Sequence, residues 1–345
     1  MGRRVTLKDI ADEAGVSVMT VSNSLNGKHG RASKATIERI RQIAERRGYI
    51  ADASARSLAA ASSQLIGLLV PAEHDATVAL SPYNVAVFGL LERELRDRGY
   101  HLLFRGVSTA EEVHIALRSW SLDGAILLGF TDRVVETIEP PARTPIVALD
   151  SYAVASQAIA LRSNDFAGGR IAAQHLLEQG HERVVFAAPD FDSTGVVRER
   201  FMGFCAAFEA AGRVWDPSDR EIAESTYADG LRIGRALPQA HRAATAVFCT
   251  ADALAVGVME GFREAGGTVP DQLSVIGFDN LEIDDYVTPK LTSIDQNVYA
   301  KAASAAQTLL AAMAGDATPQ TSKPIDVRLV QRESTTPPAA GEGGR

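Results

Sequence analysis

The sequence predicts an all-α N-terminal domain of helix-turn-helix type followed by an α/β body in two lobes. Three observations carry this. Residues 6–26, TLKDIADEAGVSVMTVSNSLN, read as two short amphipathic helices around a Gly-containing turn. From residue 65 onward, strand-like apolar runs alternate with amphipathic helices, which predicts parallel sheets covered on both faces. That body is about 270 residues long, more than one such sheet normally needs.

In the first helix Leu7, Ile10, Ala11 and Ala14 recur at i, i+3, i+4 and i+7 and form one apolar face. Thr6 and Asp9 are spaced for a capping box, and Gly15 suits the left-handed residue that ends a helix. Ser17 can cap the second helix, with Val21 and Leu25 turned back onto the first. Spacing alone fits any small helical hairpin equally well. As a helix-turn-helix, the second helix enters the DNA major groove. Met19 and Asn23 then share the outward face, Asn23 placed to bond a base edge and Met19 to pack on a thymine methyl. Thr20, Ser22 and Asn26 read as phosphate contacts, with Thr6 and Ser17 at the helix starts beside them.

Residues 27–32, GKHGRA, form a Gly-bounded basic loop, either solvated or laid along phosphates through Arg31. Ser33 can cap a third helix over roughly 33–47, with Ile37, Ile40 and Ala44 inward and Arg39, Arg41, Arg46 and Arg47 on a solvated face. Residues 48–64, GYIADASARSLAAASSQ, have the small, polar composition of a linker.

Strand-like runs follow at 65–71, 101–107, 124–130, 145–151, 183–189, 246–251 and 273–279, with helical segments such as 84–98, 165–179 and 252–265 between them. Helix 298–313 places Val298, Ala302, Ala305, Leu309 and Ala312 on one core face. Ligands of open α/β sheets bind at the carboxyl ends of strands. Asp150, Asp252 and Asp279 each end a strand there, Arg200 and Tyr83 sit near helix starts, and Gln296 follows the LTSI run. The set fits a polyol: carboxylates accept from hydroxyls, Arg donates a planar fork, and an aromatic face covers a sugar ring. An Asp at a strand end also caps the next helix, and Asp252 and Asp279 can do both. His181 reads as a structural turn residue.

The net charge is −8, but residues 1–60 carry 11 Lys and Arg against 6 Asp and Glu, a net of +5 that leaves −13 on the remainder. A basic end on an acidic body focuses attraction for phosphate. Cys205 and Cys249 lie in apolar surroundings without metal spacing and read as reduced core residues. No signal-like or membrane-spanning run is present, so a cytoplasmic protein is expected. No GxSxG, GxxxxGK[ST], GxGxxG or HExxH occurs, and the seven histidines lack metal spacing. The sequence therefore points to neither an enzyme nor a metal or other cofactor. A transport protein built on the same body would lack the first 60 residues, and a nucleoid protein would be basic throughout.

The wording VTLKDIADEAGVS..TVS..LNG resembles the N-terminus of the LacI/GalR family of bacterial transcription regulators, and NDFAGGRIAAQHLLEQGHERVVF (164–186) is a second matching stretch. The resemblance implies a helix-turn-helix domain over 1–50 and a hinge over 51–64. It implies a body over 65–336 of two Rossmann-like lobes, similar to periplasmic sugar-binding proteins. The N-lobe would span about 65–165 and 295–325 and the C-lobe about 166–294 and 326–336, with crossings near 165, 294 and 325 and Asn164 and Asp165 at a cross-lobe link. Val18, Met19 and Asn23 would read bases, although helical spacing puts Val18 nearer the core. The family often has Arg at the position of Asn23. In the hinge, Ala55 and Leu58 of the ARSL match would enter the minor groove, Leu58 as a wedge between base steps. This chain has Ala51-Asp52 where the family usually has Pro-Asn. Tyr83, Phe130, Asp150, Arg200, Asp252, Asp279 and Gln296 would line an effector pocket, most often for a sugar, though nucleobases occur. The tail after Thr335 is Pro/Gly-rich, expected to be disordered, and has no leucine heptads, so a homodimer is expected. The implied function is a ligand-responsive repressor on a pseudo-palindromic operator.

Overall fold

A computed structural model describes residues 5–25, 32–49, 62–72, 80–141, 144–154, 156–191, 194–316 and 322–339. Asn26, Arg31, Ala55, Leu58, Ala51 and Asp52 lie outside the described residues. The chain divides into two compact units, residues 1–64 and 65–345.

The first unit is three helices, α1 (Leu7–Ala14), α2 (Val18–Leu25) and α3 (Lys34–Arg46). Thr6 Oγ1 accepts from Asp9 N and the Asp9 carboxylate accepts from Thr6 N at 2.8 Å, closing the capping box. Gly15 takes a φ of 66°, so the chain turns without the steric penalty a Cβ would bring. Ser17 Oγ accepts from Thr20 N at 3.1 Å and starts α2. Caps of this kind stabilise a helix by about 1 kcal/mol. Ile10, Ala11, Ala14, Val21, Ile40, Ile43 and Ala44 form the core. The arginines of α3 do more than face solvent. Glu13 of α1 accepts from Arg46 and, at 2.7 Å, from Arg47 Nε, and these bonds hold its carboxyl below the usual range.

The second unit contains two sheets. The first has the order β2 (His101–Val107), β1 (Leu65–Pro71), β3 (Gly124–Leu128), β4 (Ile146–Leu149), β5 (Ile159–Leu161), all parallel. The second has the order β11 (Arg328–Val330), β10 (Thr292–Asp295), β9 (Ser274–Asp279), β8 (Ala246–Cys249), β6 (Val184–Ala188), β7 (Arg220–Ile222), with only β11 antiparallel. Helices α4 (Pro82–Arg96), α5 (Ala110–Ser119) and α6 (Asp132–Glu136) connect the first sheet. Helices α7 (Asp165–Glu178), α8 (Val196–Ala210), α9 (Tyr227–Ala240) and α10 (Asp252–Glu264) belong with the second, and α11 (Val298–Ala314) returns to the first. Each sheet carries an apolar cluster on both faces. Each fully buried Leu, Ile or Phe in them contributes roughly 1.5–3 kcal/mol.

The chain passes between the sheets three times: from β5 to α7, from β10 to α11, and from α11 to β11. The passages are bonded to one another. Asn164 N donates to Ile325 O at 2.9 Å, Ile325 N to Arg162 O at 3.0 Å, and Ser163 Oγ to Gln296 O at 3.0 Å.

Two expectations change. The tail does not detach at Thr335. Buried His181 contacts Thr336 O at 3.0 Å and Thr245 Oγ1 at 2.8 Å, and Thr336 N donates to Ser274 Oγ at 3.0 Å, so the chain stays docked on β9 through Thr336. Strands β5 and β7 lay outside the apolar runs because each is only three residues long. Among the described residues no helix is long and apolar enough to cross a membrane.

Candidate functional site

On α2, Met19 is 70% and Val18 44% exposed, while Val21 is buried against α1. Val18 therefore faces outward, not toward the core as helical spacing suggested. Asn23 is half-buried on the same helix. Thr20 Oγ1 and Ser17 Oγ share a hydrogen bond of 2.9 Å, and Thr6 is engaged in its capping box. Ser22 is half-buried. The helix offers a mixed apolar and polar face of the kind that meets base edges and phosphates.

In the second unit a cavity of about 830 Å³ opens at the carboxyl ends of the strands. Tyr83, Phe130, Asp150, Arg200, Asp279 and Gln296 line it. Each is placed by the end of an element. Asp150 follows β4 at φ 58°, and Asp279 closes β9 at φ 130°, both in the region that disfavours side chains other than glycine. Tyr83 lies in the first turn of α4, whose start Ser81 caps by accepting from Asn84 N at 3.1 Å.

Arg200 stands on α8, which packs unusually close to α7. A Cβ at Gly203 would stand 1.9 Å from Phe166 O, and one at Gly169 1.8 Å from Arg200 O. Only glycine permits this approach. It brings Arg200 Nε within 2.9 Å of Asp165 Oδ1, with Nη1 donating to Thr250 O at 2.7 Å and the guanidinium 3.5 Å from the centre of the Phe278 ring. Burial opposes the guanidinium's charge, but Asp165 and Asp279 overcome it and raise its pKa. Asp165, expected only at a link between lobes, is fully buried and also accepts from Tyr152 OH at 2.9 Å. Its carboxyl is pushed up by burial, with Arg200 opposing.

A second polar chain runs across the cavity floor. Lys301 Nζ donates to Asp150 Oδ1 at 2.5 Å, to Tyr83 OH at 3.0 Å, and to Gln296 Oε1. Tyr83 OH donates to Asp150 Oδ2 at 2.5 Å, and Gln296 Nε2 donates to Asp279 Oδ1. Burial first, then Asp150, raises the Tyr83 pKa well above its ordinary value. Burial, then the charge of Asp252, raises that of Asp279. Lys301 is 0% exposed and was missed in the sequence. The signal was present: Val298, Lys301, Ala302 and Ala305 make an i, i+3, i+4, i+7 stripe, so a lysine sits on the apolar face of α11.

Asp252 departs from the expectation. It lies behind the cavity wall, where Oδ1 accepts from Ser293 Oγ at 2.6 Å and Oδ2 from Leu281 N at 2.9 Å. The residue opens α10 and faces the loop after β9, so its carboxylate turns to that loop instead of the open cleft. Among the described residues Asp284, also buried, has no hydrogen-bond partner for its carboxylate, with Arg332 Nη1 at 3.6 Å. Burial raises the pKa of the Asp252 carboxyl, and burial together with the charge of Asp252 raises that of Asp284.

The family model for lacI bacterial regulatory proteins matches residues 6–52, and that for the periplasmic binding protein-like domain matches residues 173–335. The chain is 30% identical over 299 residues to the HTH-type transcriptional repressor PurR of Vibrio atlanticus (strain LGP32), spanning 84% of this chain and 86% of that protein. Its structure is similar to that of a transcriptional regulator CelR–cellobiose complex, at 25% identity and a TM-score of 0.71, covering 96% of this chain and 100% of the other. It is also similar to the lac repressor dimer bound to operator and the anti-inducer ONPF, at 23% identity and a TM-score of 0.84, covering 97% and 100%. This last likeness concerns the fold alone. Helix-turn-helix unit and cleft-bearing body together define a DNA-binding transcriptional repressor with an effector-binding, periplasmic-binding-protein-like domain. The chain belongs to the LacI family.

Proposed function

We propose that this repressor works in the cytoplasm as a homodimer on a two-fold symmetric operator, and that a sugar in the cleft controls its grip on DNA. The observation that carries the sugar reading is the cavity lining: Asp150, Asp279, Arg200, Gln296 and Tyr83 converge in one space of about 830 Å³. Carboxylate acceptors, a guanidinium fork and an aromatic ring together match the alternating hydroxyls and apolar face of a sugar. The similarity to a regulator complexed with cellobiose supports the same class.

On the DNA side, Met19, Val18 and Asn23 read bases, while Thr6, Ser17, Thr20, Ser22, Asn26 and Arg31 fix the protein on phosphates. Residues 51–64 form the hinge, with Ala55 and Leu58 in the minor groove. Ligand and operator then act on each other through a coupling of about 1–3 kcal/mol, equal in both directions. The cross-lobe bonds of Gln296 and Tyr152 are the contacts a ligand competes with or strengthens.

The test is selection of bound duplexes from random DNA by the purified protein, with and without a pool of neutral sugars, followed by Asp279→Ala. A two-fold symmetric consensus whose affinity the pool alters, and an Asp279→Ala protein that keeps the DNA affinity but loses the response, is the expected result. A response that survives Asp279→Ala removes the cleft assignment.

A further inference from the structure

Asp132 opens α6, lines the cavity and is only 7% exposed. Its Oδ1 accepts from Ser151 Oγ at 2.9 Å and from Tyr152 N at 2.7 Å. Its Oδ2 is buried and has no hydrogen-bond partner among the described residues. A buried carboxylate oxygen left unpaired is destabilising, so such an atom in a ligand cleft calls for a donor.

Across the cleft stands the start of α8. A Cβ at Gly195, the residue that caps this helix, would lie 3.9 Å from Asp132 Oδ2. Among the described residues no side-chain hydrogen bond caps the start of α8, and its first backbone N–H groups have no intrahelical acceptor. Gly195, Val196 and Val197 line the same cavity. A lone acceptor on one lobe thus faces uncapped donors on the other.

We propose that a hydroxyl of the effector bridges them, donating to Asp132 Oδ2 and accepting from the N-terminus of α8. This rests on the cavity being a sugar site, and it places a free hydroxyl, not a phosphate, at this end of the cleft. A hydroxyl both donates and accepts. An ammonium cannot accept from α8. A phosphate dianion cannot donate to Asp132, and it would meet the carboxylates of Asp132, Asp150 and Asp279 together. The helix N-terminus alone would favour phosphate. Asp132 reverses that preference and is a specificity-determining residue.

The experiment is calorimetric titration of the full chain with a panel of neutral mono- and disaccharides, including ribose, glucose and cellobiose, and with ribose 5-phosphate and glucose 6-phosphate. The same titrations are made on Asp132→Asn, which keeps an acceptor for Ser151 and Tyr152 but puts an amide donor in place of Oδ2. Thermal unfolding of the unliganded variant checks the fold. The expected result is a neutral sugar that binds, weaker binding by any ester whose phosphate replaces the bridging hydroxyl, and at least a tenfold loss of affinity in Asp132→Asn with unliganded stability kept or raised. Asp132→Asn binding the same sugar unchanged overturns the bridge and leaves the sugar reading standing. Binding of none of the sugars overturns the sugar reading and the bridge with it.

Discussion

Lys301 Nζ lies 2.5 Å from Asp150 Oδ1, with the lysine side chain wholly buried. Removing one partner of a buried pair leaves an uncompensated charge, at a cost of about 3–5 kcal/mol. Lys301→Met, which keeps the length of the chain, is expected to lower the free energy of unfolding in urea by that amount. Adding Asp150→Asn is expected to recover part of the loss. A single variant within about 1 kcal/mol of wild type would show that the pair does not support the lobe.

Gly203→Ala places a methyl 1.9 Å from Phe166 O, a backbone atom that cannot swing aside. Helices α7 and α8 must separate. The expected loss is about 3 kcal/mol or more, read from the urea midpoint. Because Arg200 rides on α8, ligand affinity is expected to fall as well. Wild-type stability and affinity would refute the close packing.

Asp284 is buried, its nearest cation 3.6 Å away, and burial together with Asp252 pushes its carboxyl up to about 9. A carboxyl with a raised folded-state pKa binds its proton more tightly in the native chain than in the unfolded one. The stability it contributes is full below the unfolded pKa of about 4 and is lost as pH rises toward 9. The slope for one such group is at most about 1.4 kcal/mol per pH unit. Asp284→Asn is expected to flatten the profile and to be the more stable protein at pH 8. Parallel profiles for the two proteins would show that Asp284 does not set the slope.

Operator affinity is expected to fall roughly 10³-fold or more between about 50 and 200 mM salt, as follows when six or more phosphates are neutralised. Leu58→Ala is expected to weaken operator binding at least about tenfold and leave sugar binding intact, since unstacking is offset only by contacts in the bent duplex. Fluorescence anisotropy on the selected operator reads both. A flat salt profile, or unchanged affinity in the variant, would remove the phosphate clamp or the wedge respectively.

Much of this arrangement is legible in the residues because local rules and tertiary packing agree. The Thr6–Asp9 cap, the turn at Gly15 and the all-buried strand Gly124–Leu128 follow from composition and period alone. The ends of β4 and β9 likewise carry Asp150 and Asp279 to the cavity. Periodicity fails where contacts are made between distant segments. Asp252, like Asp279, follows a strand-like run in the sequence, and only the fold of the loop at Leu281 turns it to Ser293. Asp132 opens a helix of five residues, too short to carry a pattern, and its unpaired oxygen faces Gly195, 63 positions away. Lys301 was legible as an exception to the apolar stripe, but its three partners come from α4, the end of β4 and the β10–α11 passage.

The three bonded passages at Asn164, Gln296 and Ile325 have a genetic consequence. Neither lobe is one continuous stretch of sequence: α11 completes the first sheet from far downstream, and β11 is added to the second only after it. No single crossover between two genes can exchange one lobe and keep the other, so the body is inherited whole. The first 64 residues are continuous and form their own compact unit. A single recombination event there can join an existing sensor to a new DNA-reading head, so new pairings of signal and operator can arise without disturbing the cleft.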